Sequence, residues 1–231
     1  MKIALPAMKI ALLGAESTGK TQLAHELAAH LRNEGQSAIA IDEYLREWCE
    51  QHARTPRQDE QQHIAHTQQA RIEAAAQQAT WIFADTTPLM TAIYSEFIFQ
   101  DNSLHAAALA YQQAFDLTLI TGLDMPWQAD GIQRDGEHVR APVDALLRQH
   151  LQTAGIAFEV IYGTGEQRTS HALQAIARQA QSLSTTNSIA SRADNTQTSD
   201  SNDLKRWQSR CEKCSDPDCE HRLFTSLREG D

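Results

Sequence analysis

With 231 residues and a formal net charge of −10, the chain is long enough to bury one substantial core and to carry a small appendage. The acidic balance argues against general binding to nucleic acid or acidic membrane surfaces, which depend on clustered Lys and Arg, and favours a small-molecule ligand. No stretch is long and apolar enough to span a bilayer and residues 1–7 lack a long apolar core, so a cytoplasmic protein is expected.

Residues 1–5 recur almost unchanged at 8–12, which fits an alternative start at Met8 as well as a structural repeat, and no function attaches to the repetition. Met8–Leu13 is apolar and strand-like, and Leu23, Ala24, Leu27, Ala28 and Leu31 recur at helical spacing up to Gly35. Between them lies Gly14-Ala15-Glu16-Ser17-Thr18-Gly19-Lys20-Thr21, which fits the pattern G-x-x-x-x-G-K-[ST] in its strand–loop–helix setting. Glycines let the backbone approach phosphate closely, successive N–H groups point into the loop, and the new helix offers its positive dipole end. Lys20 would reach the β- and γ-phosphates of ATP, and Thr21 would place its hydroxyl on Mg²⁺.

Ser37–Ile41 reads as a second strand, with Asp42, Glu43, Tyr44 and Arg46 just beyond its carboxyl end. Glu43, or Asp42 beside it, is placed to act as general base for an acceptor hydroxyl, the other acid being solvated. Arg46 either pairs with the acid or substrate or stands exposed on a helix. Thr55-Pro56 predicts the start of a Gln- and Ala-rich helix to about Ala79. Trp81–Ala84 is a buried-strand pattern ending at Asp85-Thr86-Thr87 before Pro88 opens another helix. Asp85 is therefore either a metal- or substrate-holding acid at a strand end or a helix cap.

Helices are expected over 88–99 and 103–115, then a fourth strand at Leu117–Thr121. Residues 122–140 are rich in charge and glycine and read as an ordered functional loop or lid. In it Arg134, or Arg140, could spread charge in a transition state, Asp130 could read hydroxyls or support Arg134, and Trp127 is a stacking platform or a loop anchor. A helix over 142–153, a strand over 158–162 and a helix over 166–180 complete the pattern. Strands alternating with helices predict an α/β fold, a mostly parallel five-stranded sheet covered on both faces, with its ligand crevice at the carboxyl ends. His25, His30, His52, His63 and His66 share no ligand spacing with acids and read as surface residues.

Gly14–Thr21, Glu43-Tyr44-x-Arg46, Asp85-Thr86-Thr87 and Pro126-Trp127-x-x-Asp130-Gly131-x-x-Arg134 occur in an order that resembles the ribosylnicotinamide kinase domains of bacterial multifunctional NAD-biosynthesis proteins, over about residues 8–180. The resemblance implies a P-loop kinase fold (a three-layer sandwich), ATP with Mg²⁺, and phosphorylation of nicotinamide riboside to its mononucleotide. It puts phosphate binding on residues 14–21, acid roles on Glu43 and Asp85, nicotinamide stacking on Trp127 and lid chemistry on Arg134. Thr87 stands where such domains commonly carry a further acid. No nucleotidyltransferase domain is expected before a phosphate loop that begins at residue 14, so adenylylation of the product would be done elsewhere. The same architecture is carried by P-loop ATPases acting as regulatory switches or partner-binding modules, the alternative from another class. Acids at two further strand ends and an arginine-bearing lid favour the kinase.

The polar, low-complexity stretch from Ser182 to Asp203 predicts a flexible linker, dividing the chain into a kinase-like domain over 1–180, a linker over 181–205 and a tail over 206–231. Three of the four cysteines lie in that tail as Cys211-x-x-Cys214-x-x-x-x-Cys219-x-His221, a donor set sufficient for tetrahedral Zn²⁺, with free thiols as the alternative. Arg206, Arg210, Arg222 and Arg228 surround it and would suit docking to another protein or an RNA.

Overall fold

In the computed structural model the described residues are 7–128 and 136–193. Five strands form one sheet in the order β2-β3-β1-β4-β5, every neighbouring pair parallel: β1 (Met8–Leu13), β2 (Ala38–Ile41), β3 (Trp81–Asp85), β4 (Leu117–Thr121) and β5 (Glu159–Ile161). The run Ile10–Leu13 is wholly buried because helices cover both faces of β1. Alternation then divides it: Ile10 and Leu12 pack with α1 (Lys20–Asn33) and α7 (Gly165–Ala193), whereas Ala11 and Leu13 face α3 (Gln61–Ala76), α4 (Pro88–Phe99) and α6 (Arg140–Thr153). This is the expected three-layer α/β sandwich, and the register Leu12↔Asp85 sets the third-strand acid beside the root of the phosphate loop.

Three elements differ from their sequence patterns. A helix α2 (Tyr44–His52) follows β2 directly, although its sequence is mostly polar; Tyr44, Trp48 and Cys49 form its one apolar face and close on Ile64 of α3. Burial and the nearby Glu43 push the Cys49 thiol up to about 11, so this cysteine is inert packing. The helix expected from Thr55-Pro56 begins only at Gln61, after a short 3-10 turn at Gln58–Glu60. There the Glu60 carboxylate accepts from both Arg54 guanidinium nitrogens at 2.7 Å and from the Arg57 N–H at 2.8 Å, contacts that hold its carboxyl at about 2. Last, α7 runs through the expected start of the linker to Ala193. Extending a formed helix costs little per residue even where Ser and Thr are frequent. Residues 1–181 make one unit; of 182–231 the described part is the end of α7.

Candidate active site at the carboxyl edge of the sheet

The loop between β1 and α1 is shaped by backbone conformations that side chains resist. Gly14 has φ +142°, and a Cβ there would fall on the Thr121 hydroxyl at the end of β4; Gly19 enters α1 with φ +72°. Thr18 Oγ1 donates to Ala15 O at 2.8 Å and meets Thr121 Oγ1 at 2.6 Å, and Lys20 Nζ donates to Ala15 O at 2.9 Å. Lys20 thus folds over its own loop.

Thr21 Oγ1 donates to Asp85 Oδ2 at 2.5 Å. Asp85 is 1% exposed, and its other oxygen, Oδ1, has no hydrogen-bond partner among the described residues. Burial pushes this carboxyl above its ordinary range, while Lys20, the Thr21 hydroxyl and Arg46 pull it down and Asp42 pushes it up. A hydroxyl beside a carboxylate with an unsatisfied buried oxygen is a hard-oxygen donor set that fits Mg²⁺. The side chain of Thr87, not that of Asp85, caps α4, accepting from Leu89 N at 3.3 Å.

A cavity of about 940 Å³ opens over this edge. One wall is the phosphate loop with Lys20 and Thr21; the other carries Glu43 and Arg46, then Thr55 to Arg57, and finally Met90, Tyr94, Ile98 and Phe99 of α4. That volume lies at the upper end of the range, some 300–1,000 Å³, found for small-ligand pockets.

Not every expected residue reaches this cavity. Asp42 does not line the cavity; it pairs with His25, which does, Oδ1 to Nε2 at 2.6 Å, and Glu43 is the acid of that strand end on the wall. Tyr44 is 9% exposed and belongs to the α2–α3 packing, under the Arg71 guanidinium at 4.5 Å from its ring, rather than to the substrate wall. Trp127 is half-buried and gives its indole N–H to Glu16 Oε1 at 3.0 Å, the arrangement of a loop anchor. The same oxygen accepts from Gly136 N at 3.0 Å, so Glu16 holds both flanks of the 128–135 stretch, and Gln128 N donates to Ser17 Oγ at 2.7 Å. Arg140 is no swinging lid residue: it is 5% exposed and donates to Met125 O at 2.9 Å. Asp130 and Arg134, and the tail residues Cys211, Cys214, Cys219 and His221, lie outside the described residues.

The sequence reading missed four contributors. Gln68 of α3, 2% exposed, accepts from Tyr44 N at 2.8 Å and places its amide within 3.4 Å of Asp42 O and Asp85 O and 3.2 Å of Thr86 O, bridging the ends of β2 and β3. Its signal was available, a polar residue interrupting the buried stripe Ile64–Gln68–Ile72. Arg168 of α7, 4% exposed, donates to Thr18 O at 2.5 Å and to Met125 Sδ, backing the phosphate loop with a cation. Burial draws its pKa down, with Asp124 and Glu26 opposing. Tyr94 and Phe99 lay hidden in a helix apolar on nearly every side.

A family model described as an AAA domain matches residues 9–168. The chain belongs to that family. Among solved structures, this AAA-domain chain is similar to a NadR protein in complex with NR, at 21% identity and a TM-score of 0.59, covering 74% of this chain and 51% of that one. A NadR protein in complex with NAD and AMP-PNP gives 21% and 0.58, with 74% and 49% covered. A thymidylate kinase from Ehrlichia chaffeensis gives 14% and 0.52, with 74% and 100% covered. This AAA-domain chain therefore spans about half the length of the NadR chains, and at these identities the likeness establishes the fold. No curated protein sequence matches.

Proposed function

We propose that the protein transfers the γ-phosphoryl group of ATP to a hydroxyl of a small nucleoside, with nicotinamide riboside as the first acceptor to test. The observation that carries this reading is one cavity lined both by the phosphate loop through Thr21, whose hydroxyl binds the buried Asp85, and by Glu43, Arg46, Tyr94 and Phe99. A hydrolytic switch needs no second wall of this kind. Nicotinamide riboside bears a fixed positive charge on its ring, which the faces of Tyr94 and Phe99 would attract. The NadR structure with NR shares this fold and supports the same choice.

In the proposed reaction the loop N–H groups and Lys20 hold the triphosphate, and Arg168 fixes the loop from behind. Thr21 and Asp85 would hold Mg²⁺, whose chemistry is to neutralise charge on the transferring group. Glu43 accepts the proton of the attacking hydroxyl while Arg46 and Asp130 orient the acceptor, and Arg134 spreads the developing charge. An enzyme drawing on ATP in this way would work in the cytoplasm. In the tail, Cys211, Cys214, Cys219 and His221 would hold Zn²⁺ and offer a protein docking module; metal-free purified protein would remove that assignment.

Purified protein incubated with Mg-ATP and a panel of nucleosides, followed by mass spectrometry, tests the main reading. Nicotinamide mononucleotide formed by the wild type and not by Lys20→Met is the expected result. ATP hydrolysis with no phosphorylated nucleoside would overturn it.

A further inference from the structure

On the face of α4 away from the cavity, three side chains from three helices converge. Glu96 of α4 has its Oε2 2.7 Å from His105 Nε2 of α5 (His105–Gln112) and 2.7 Å from His150 Nε2 of α6. One ligand atom from each lies within 4.8 Å of the others, and the two imidazoles are stacked with centroids 4.0 Å apart and planes 10° from parallel.

As a hydrogen-bonded trio the cluster is unsatisfied. His150 makes a hydrogen bond with Glu96 Oε2, whereas His105 Nε2 lies at the same 2.7 Å from that oxygen in an ion-pair contact of poor hydrogen-bond direction, and His105 Nδ1 has no partner among the described residues. His105 is 8% exposed, and leaving a buried polar group unmatched costs about 1–3 kcal/mol. Burial and the neighbouring His150 push the His105 imidazole below its usual range, with Glu96 opposing.

We propose that Glu96, His105 and His150 form a transition-metal site of the zinc class, clamping α4, α5 and α6 together and separate from the phosphate-transfer cavity. Two imidazole nitrogens and one carboxylate oxygen are a common set of three protein ligands for zinc, water taking the fourth tetrahedral position. Metal–ligand distances of about 2.0–2.2 Å set tetrahedral ligand edges near 3.3 Å. Glu96 must therefore withdraw by about half an ångström, and the His105 ring must turn so that its lone pair converges with that of His150. Both adjustments are open: the Glu96 side chain is 25% exposed, and the second side-chain torsion of histidine is broad. The charge also fits, one carboxylate and two neutral rings attracting a divalent cation without surplus anionic repulsion. Met90, Tyr94 and Ile98 project from the other face of the same helix into the cavity, so the clamp would steady the acceptor wall without touching a reactant.

The test uses the full chain with Cys211→Ser, Cys214→Ser and Cys219→Ser, so that the tail thiolates contribute nothing. Titration with Zn²⁺ by calorimetry should show one equivalent bound with a rise in Tm, and Co²⁺ should give visible d–d absorption without a near-ultraviolet thiolate band. His150→Gln keeps a hydrogen-bonding partner for Glu96 but loses the ligating ring, and should weaken Zn²⁺ binding by at least about tenfold, the scale on which even supporting residues of metal sites act. Glu96→Gln, checked for folding by circular dichroism, serves equally if His150→Gln does not fold. No stoichiometric Zn²⁺ binding in the chain without tail thiols, or unchanged binding in a folded ligand variant, overturns the proposal.

Discussion

The two walls of the cavity are built by opposite means. The phosphate wall comes from eight consecutive residues, Gly14 to Thr21, shaped by their own φ angles and by short-range hydrogen bonds, with Thr121 and Arg168 bracing Thr18 from afar. The other wall, that of the proposed acceptor, is gathered from the end of β2, α2, the Thr55–Arg57 segment before the 3-10 turn, and α4, segments spread over more than fifty positions. A local wall can be held constant while the dispersed one is remodelled by surface substitutions, so in the proposed reaction the first would fix the donor and the second would choose the acceptor.

That division predicts which kinetic parameter each substitution moves. Lys20→Met should have the largest effect, lowering kcat for every acceptor by about a thousandfold or more, in line with removal of a principal charge-stabilising group; steady-state ADP release measures it. Glu43→Gln should lower kcat about a hundredfold or more while leaving ATP affinity intact, as for loss of a general base, and unchanged turnover would remove Glu43 from that role. Tyr94→Ala should raise KM for the nucleoside about tenfold through the loss of an aromatic contact near 1–1.5 kcal/mol, with KM for ATP unaltered; equal changes in both would break the two-wall distinction.

The smaller effects concern the frame. Gln68→Leu leaves the buried Tyr44 N–H without its acceptor and should cost about 2–3 kcal/mol in chemical denaturation, with a further loss of kcat because the acid-bearing strand ends lose their common tie. Trp127→Phe removes the bond to Glu16 and should cost about 1 kcal/mol, read as a Tm shift of a few degrees, with both KM values nearly unchanged. A nucleoside KM raised tenfold by that substitution would instead return Trp127 to the stacking role that the sequence also allowed.

Legibility followed the same division. Apolar runs ending in Gly14, Asp42 and Asp85 located the strands and their reactive edge, because a doubly covered parallel sheet must read as continuous hydrophobic segments. The phosphate loop was legible because its chemistry is local. Tyr44 packs where a substrate contact was expected, and Trp127 was left between anchor and stacking platform, because aromatic residues near a motif look alike whether they pack or bind. Arg168 could not be found from spacing at all, since it meets Thr18 across 150 residues. The cluster of Glu96, His105 and His150 was equally invisible: its members sit on three helices whose mutual approach only the tertiary structure defines.

The amide of Gln68 has a mechanical consequence. By touching carbonyls at the ends of both β2 and β3, it makes those two strand ends one block, so Glu43 and Asp85 cannot slide past each other when a ligand enters. In the proposed reaction the gap between base and metal-holding acid would then be set by the scaffold, like the jaw spacing of a fixed wrench, and acceptors of different size would be accommodated by α4 and the 55–57 segment instead.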